Sequence, residues 1–296
     1  MATQLDLFGN HVDVQAKDPI WILKNRPAPD PNSPIIVSYG GGTNSTAMLI
    51  AMVLKGIKPD LILFADTGGE LPETYEWVNT FSNWLEKQGF PGIEWVKYVQ
   101  SENISRRKFT YSTLEEECLA TNGLPSKAYG MATCSMKWKV QPIRRRIKQY
   151  CFVHNIQLTP RQFTGIHAGE VNRLLGKSGK IRELEQEGIR QEYPLVEWGL
   201  NQENCNALIK SVGLPVPSKS SCFFCPNRKI SEIIELKEKH PDLYRRAINI
   251  EQNAELHSLK GLGRTKYAWS EIGQLTPLQK ALIEAGEGNK LCACVD

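Results

Sequence analysis

The segment between residues 35 and 66 constrains the fold more than any other. Ile35, Ile36 and Val37 form a β-branched run that breaks at Tyr39-Gly-Gly-Gly42. The stretch Ser45-Thr-Ala-Met-Leu-Ile-Ala-Met-Val-Leu54 is almost wholly apolar and closes at Gly56, and Leu61 to Phe64 repeats the strand signal before Asp66-Thr-Gly-Gly69. Strand, glycine loop, helix and strand at this spacing predict a parallel crossover, because an antiparallel pair would need only a short turn. Pro72 opens a second helix carrying Tyr75, Val78, Phe81, Trp84 and Leu85 on one side, and Ile93 to Val99 reads as a third strand. The expected class is α/β: a doubly wound, mostly parallel Rossmann-like sheet.

Composition bounds what surrounds that sheet. The chain has 296 residues, 41% of them hydrophobic, with 36 Lys+Arg against 32 Asp+Glu. That suffices for one large α/β domain with an appendage, or for two domains. The longest purely apolar run, Ala47 to Leu54, falls far short of the ~18 to 20 residues that span a bilayer. The first residues lack the basic stretch and apolar core of a secretory signal, so the expectation is a cytoplasmic protein without a membrane partner. Eight cysteines, at 118, 134, 151, 205, 222, 225, 292 and 294, then point to thiol chemistry or metal ligation rather than disulfides. The net charge of +4 conceals a concentration of Lys137, Lys139, Arg144, Arg145, Arg146 and Lys148, a candidate anion site.

Residues 1–33 are polar and end in a proline-rich run, Arg26 to Pro34, and are expected to be a flexible tail and linker. A short helix is predicted near Leu114 to Ala120, a longer one from Ser135 to Phe152, and a strand from Gln162 to Ile166. From Asn201 the pattern is mainly helical, with 231–296 as a helical C-terminal extension after a domain covering 34–230.

Three glycines followed by Thr43-Asn-Ser45 at a strand-to-helix junction let backbone amides approach a phosphate, and the helix N-terminus favours negative charge. A tight turn needing positive φ is the alternative. Neither G-x-x-x-x-G-K-[ST] nor G-x-G-x-x-G is present. Cys222-Phe-Phe-Cys225 suits iron–sulfur, zinc or dithiol chemistry, whereas Cys118, Cys151 and Cys205 read as core residues. On a regular helix Arg144 and Lys148 share a face at i, i+4, and Lys137 and Arg144 at i, i+7. These are the candidates for phosphate contact, a plain solvated face being the alternative.

Ser38-Tyr-Gly-Gly-Gly-Thr-Asn-Ser45 and Phe64-Ala-Asp-Thr-Gly-Gly-Glu-Leu-Pro-Glu-Thr-Tyr75 resemble the PP-loop and second-strand signature of the phosphoadenosine phosphosulfate (PAPS) reductase-like family, within the PP-loop adenine nucleotide alpha hydrolase superfamily. The resemblance continues through Thr133-Cys-Ser-Met-Lys137 with Pro142-Ile-Arg-Arg145, Gly165 with Glu170 and Arg173, Tyr193-Pro-Leu-Val-Glu-Trp198, Gly213-Leu-Pro215 and Ser221-Cys-Phe-Phe-Cys-Pro226. It implies cleavage of ATP to AMP and pyrophosphate with Mg2+, or use of an activated adenylyl sulfate. It also implies a nucleotide site on Ser38, Gly40, Gly41, Gly42, Thr43, Asn44, Ser45, Asp66 and Gly165, with Asn44, Ser45 and Glu170 catalytic. Lys137, Arg144, Lys148 and Arg173 would bind substrate phosphate, and Cys134, Cys222 and Cys225 would hold a [4Fe-4S] cluster, zinc being the lesser alternative. Three departures stand out: Asn44 replaces the usual loop acid, Thr133 the first of a paired cysteine, and His167 an arginine frequent in sulfonucleotide reductases.

The leading expectation is nucleotide activation coupled to iron–sulfur-dependent sulfur transfer, with nucleic acid as acceptor. The alternatives are a sulfonucleotide reductase, for which Cys292-Ala-Cys294 would be a resolving pair rather than an inert one, and a non-catalytic nucleotide-binding accessory protein. Gln4-Leu5-Asp6-Leu7-Phe8 resembles the peptide by which bacterial replication proteins dock on the sliding clamp, which makes that clamp a candidate partner. The other reading is a tail folded onto the protein's own core.

Overall fold

The computed structural model describes residues 19–100, 109–175 and 183–274, and before them the backbone of β1 (Thr3–Leu5) and β2 (His11–Asp13), which pair antiparallel. The chain divides into two units, one of residues 1–64, 73–94 and 146–219, the other of 65–72, 95–145 and 220–296.

The first unit holds most of the sheet. α1 (Pro19–Asn25) precedes β3 (Ile35–Tyr39), α2 (Thr43–Lys55), β4 (Leu61–Asp66), α3 (Pro72–Lys87) and β5 (Ile93–Lys97). The sheet order is β5-β4-β3, then β6 (Arg161–Thr164), β8 (Ile189–Glu192) and β7 (Glu185–Gln186). β3 pairs parallel with β4 on one side and with β6 on the other, β6 pairs parallel with β8, and β7 pairs antiparallel with β8. The chain therefore builds outward from β3 in one direction and resumes on its other flank, and the C-terminal ends of β3 and β6 form the switch point where such sheets bind ligands. α2 follows β3 directly, is buried from Ser45 to Met52, and stops where Gly56 turns left-handed (φ 67°), donating its amide to the carbonyls of Met52 and Val53.

The second unit continues from the ends of β4 and β5 into α4 (Leu114–Ala120), a 3-10 turn (Ser126–Tyr129), α5 (Thr133–Ser135), a π-helical turn (Met136–Val140) and the start of α6 (Gln141–Val153). α7 (Pro194–Glu197) and α8 (Gln202–Ser211) return to the first unit. α9 (Ile230–Lys239), α10 (Pro241–Asn253) and α11 (Trp269–Ile272) complete the second, in a core built on Trp138, Phe223, Phe224, Ile233, Ile250 and Trp269.

Several expectations change. Within the expected tail, Pro19–Asn25 is a helix whose Leu23 packs against Ile166, Leu174, Tyr193 and Val196. The buried side of α3 is Thr74, Trp77, Val78, Phe81 and Leu85, with Tyr75 and Trp84 only partly covered. The predicted helix from Ser135 is interrupted by the π turn, whose wider i→i+5 winding breaks 3.6-residue periodicity. Lys137 and Arg144 are thereby taken off the common face expected of them. Cys292, Cys294, Asp6, Leu7 and Phe8 lie outside the described residues, and of Gln4 and Leu5 only the backbone is described.

Candidate functional site

In the first unit, the loop after β3 winds tightly onto α2. Gly41 has φ 76°, and a Cβ there would lie 3.1 Å from Thr74 Cγ2. Only glycine meets both demands without strain. The Ser45 hydroxyl accepts from the Gly40 amide and reaches the Gly42 carbonyl, both at 3.2 Å, so it staples the loop onto the first turn of the helix. The Thr43 hydroxyl donates to the Pro217 carbonyl at 3.3 Å, and Ser38 accepts from Gln162 Nε2 at 2.7 Å.

The loop after β6 lies against this one. A Cβ on Gly165 would fall 2.7 Å from the Ser45 backbone nitrogen, too close for any other residue. Asn44 Nδ2 donates to Glu170 Oε2 at 3.0 Å, and the same oxygen accepts from Arg173 at 3.1 Å. His167 Nδ1 accepts from the Gly169 amide at 3.0 Å, which leaves the imidazole proton on Nε2, 3.5 Å from Glu170. Burial holds the His167 pKa below its ordinary value, against the pull of Glu170 and with the push of Arg173. The other Asn44 atom, Oδ1, is buried without a hydrogen-bond partner. Such an oxygen suits a ligand's donor or a hard cation. Asn44, Ser45, Gly165, Glu170 and Arg173 are thus one constellation, whereas Lys148 is exposed and paired with Glu187 at 2.6 Å.

In the second unit, Asp66 is buried, accepting the Gly68 amide at 2.8 Å and pairing with Lys97 at 3.0 Å. Thr67 bonds Cys222 Sγ through its hydroxyl at 3.2 Å, and the Phe223 amide donates to the Gly69 carbonyl at 2.7 Å, fixing the C-x-x-C turn to the end of β4. The Cys134 amide is held by Ser126 Oγ at 2.7 Å. Burial pushes the Cys222 thiol up to about 12; Glu70 adds to the rise and Lys139 opposes it. Burial also raises Cys225, against the Asn227 amide, Lys139 and Arg228.

The π turn sends its two lysines to different carboxylates. Lys137 bonds Glu117 and, at 2.7 Å, the Tyr111 hydroxyl, within cation–π range of Tyr98, Tyr111 and Trp138. Its ammonium is therefore engaged inside the unit. Lys139 pairs at 2.9 Å with Glu70, whose side chain is fully buried. Burial would lower the Lys139 pKa, but Glu70 and Cys222 outweigh it and raise it. From the sequence Lys139 stood only within the basic concentration and Glu70 only within its motif; their pairing was not legible, because α-helical spacing does not show which side chain a π turn presents. Arg144 is half-buried on the first turn of α6. The donor chemistry of Cys134, Cys222 and Cys225 fits an iron–sulfur group. Among the described residues, no three His, Cys, Asp or Glu side chains are placed to share a single metal ion.

Residues 34–158 match the model of the phosphoadenosine phosphosulfate reductase domain. Two uncharacterized proteins of Methanocaldococcus jannaschii, MJ0973 and MJ0066, are each 24% identical, over 86% and 79% of this chain and 56% and 46% of their own lengths. The chain thus spans about half the length of these relatives. Among solved structures, the U34-tRNA thiolase NcsA from Methanococcus maripaludis with its [4Fe-4S] cluster aligns over 88% of this chain and 86% of that one, at 14% identity and a TM-score of 0.40.

Proposed function

We propose that the chain, whose residues 34–158 match the phosphoadenosine phosphosulfate reductase domain, binds an adenine nucleotide at Ser38–Ser45 and couples its activation to sulfur transfer. The observation that carries this reading is the pairing, in one chain, of two separate chemistries. A glycine loop at the sheet's switch point offers amides and an unpartnered Asn44 oxygen, and a second unit holds soft thiols beside the buried Glu70–Lys139 pair.

The amides of Gly40–Gly42 and the N-terminus of α2 take the phosphates. Arg173, oriented by Glu170, neutralises charge developing at the phosphate, and Asn44 keeps Glu170 in place through its amide. Nucleotide cleavage breaks the bond between the α- and β-phosphates, giving pyrophosphate and an adenylylated acceptor or AMP. Mg2+ would be held by the nucleotide with Asn44 Oδ1. An iron–sulfur group on Cys134, Cys222 and Cys225 would supply the sulfur-carrying metal. We assign nucleic acid as the acceptor on the basic character of α6, with the sliding clamp as an additional partner through Gln4 to Phe8. The second reading, a sulfonucleotide reductase, is favoured by the name of the matched family alone.

The test is anaerobic purification with iron, sulfide and zinc analysis of the wild type and Cys222→Ser, followed by product analysis with ATP and with adenylyl sulfate. The expected result is cluster iron lost in Cys222→Ser, with AMP and pyrophosphate formed from ATP and abolished in Ser45→Ala. Sulfite released from adenylyl sulfate, with ATP untouched, moves the assignment to the reductase. Neither metal nor turnover refutes both.

A further inference from the structure

Three neighbouring strands of the first unit each carry a polar side chain on the same face of the sheet, and the three are joined end to end. Gln162 of β6 and Gln191 of β8 are register partners, and Ser38 of β3 lies two residues beyond Ile36, which pairs with Gln162, so the pleat points all three the same way. Gln191 Nε2 donates to Gln162 Oε1 at 3.1 Å, and Gln162 Nε2 donates to Ser38 Oγ at 2.7 Å. The two amides are 7% and 8% exposed, while Ser38, near the C-terminal end of β3, is half-buried. An apolar pair would fill two facing positions on inner strands without the desolvation that buried amides incur, and a costly arrangement of this kind is what a functional site retains.

The direction of this relay is fixed from its far end. Gln191 Nε2 also donates to the Ile189 carbonyl at 3.3 Å, a group that can only accept, so the Gln191 amide cannot turn over. Its nitrogen therefore faces the Gln162 oxygen, which leaves the Gln162 nitrogen for Ser38. The Ser38 hydroxyl is thereby an acceptor toward the sheet, and among the described residues no group takes its proton. A ligand acceptor pairs that proton, whereas a ligand donor leaves it unpaired. Ser38 is the register partner of Thr164, next to Gly165, whose close approach to Ser45 sets the loop after β6 against the glycine loop. It thus lies on the flank from which the Glu170–Arg173 pair reaches Asn44. We propose that Ser38 donates its hydroxyl proton to a phosphoryl oxygen of the bound nucleotide, and that Gln162 and Gln191 are positioning residues that aim it there; the proposal rests on the nucleotide reading above. Phosphoryl oxygens ionised at neutral pH accept hydrogen bonds and donate none, so they gain most from a donor held in one orientation. A ribose hydroxyl serves in either sense and gains less. The relay transfers no proton and acts by orientation alone.

The experiment titrates the full chain, as wild type, Ser38→Ala, Gln162→Met and the double variant, with the non-cleavable α,β-methylene analogue of ATP by calorimetry, and records phosphorus and proton magnetic resonance spectra of the bound analogue. Ser38→Ala is expected to raise the dissociation constant about ten- to a hundredfold, the range for a hydrogen bond to a charged group. It should also shift a phosphorus resonance of the bound analogue while the adenine and ribose proton resonances stay in place. Gln162→Met alone is expected to raise the constant about three- to tenfold. In the Ser38→Ala background it should add nothing, since an orienting residue has no effect once the group it orients is gone. A Gln162 that merely supports the sheet would add the same loss in either background, and that outcome overturns the positioning role. Wild-type affinity in Ser38→Ala, or movement of the adenine or ribose protons in place of phosphorus, overturns the phosphoryl contact while leaving the nucleotide reading intact. A wild type that binds no nucleotide overturns both. Ser38→Ala decides the contact even if Gln162→Met fails to fold.

Discussion

Asn44 and Glu170 carry a charge arrangement that an acid at position 44 would destroy. The amide donates to Glu170 at 3.0 Å, and an aspartate there would set two carboxylates at the same distance, where one is driven to hold its proton. Asn44→Asp should therefore weaken nucleotide binding at neutral pH and cost about 1 to 3 kcal/mol of stability. The sign follows from a raised folded-state carboxylate pKa: the penalty is present at neutral pH and disappears as pH falls through that pKa, when the protonated acid restores the hydrogen bond. The double variant Asn44→Asp/Glu170→Gln, which reverses donor and acceptor, is expected to recover most of the loss without acid. Nucleotide titrations and urea unfolding between pH 5 and 8 check both arms. Asn44 and Glu170 were named from their separate motifs. Their contact was not legible, because it depends on β3 and β6 being neighbours across 126 residues.

At the scale of elements, the π turn Met136–Val140 governs which side chains meet. It presents Lys139 to the buried Glu70, and breaking a buried pair costs about 3–5 kcal/mol. Because the Lys139 side chain is 34% exposed, water recovers part of this, and Lys139→Met is expected to cost about 2 kcal/mol. Glu70→Gln in the same background should restore some of it, and a double-mutant cycle by chemical denaturation should give a coupling of about 0.5–3 kcal/mol. Independence of the two sites would refute the pairing. β3, α2, β4, α3 and α4 were legible because their apolar runs, glycine stops and Pro72 agree with one another. β8 was not. Its residues Ile-Arg-Gln-Glu show no apolar alternation, and Glu192 is buried only because Arg161 and Arg190 bond it at 2.8 to 3.1 Å. α1 was masked by the prolines that follow it, although Ile20 and Leu23 have helical spacing.

At the scale of the whole chain, α1 is held within the first unit by a polar fastening just after it, at Arg26, beside the apolar contacts of Leu23 and Ile20. Arg26 donates to the Gln191 carbonyl at 2.7 Å and to Glu197 at 2.9 Å, and approaches Glu192 at 3.8 Å. Burial lowers the Arg26 pKa while Glu197 and Glu192 support its charge. Arg26→Ala is expected to speed tryptic cleavage after Lys24, read by mass spectrometry, with only a small change in the unfolding midpoint. A cleavage rate equal to wild type would mean that the remaining contacts, among them Leu23 and Ile20, hold the helix without Arg26.

Each unit is assembled from three separated stretches, and the first needs residues up to Glu192 before its strand order can close. On a ribosome that emits the chain from its N-terminus, β3 and β4 would emerge long before β6 and β8 arrive to flank them. The early strands must wait with apolar edges uncovered, while the cysteine-bearing unit cannot begin to close until Cys222 and Cys225 have been made. Chaperone dependence during synthesis, and loading of any metal only after Cys225 has emerged, are consequences of this interleaving.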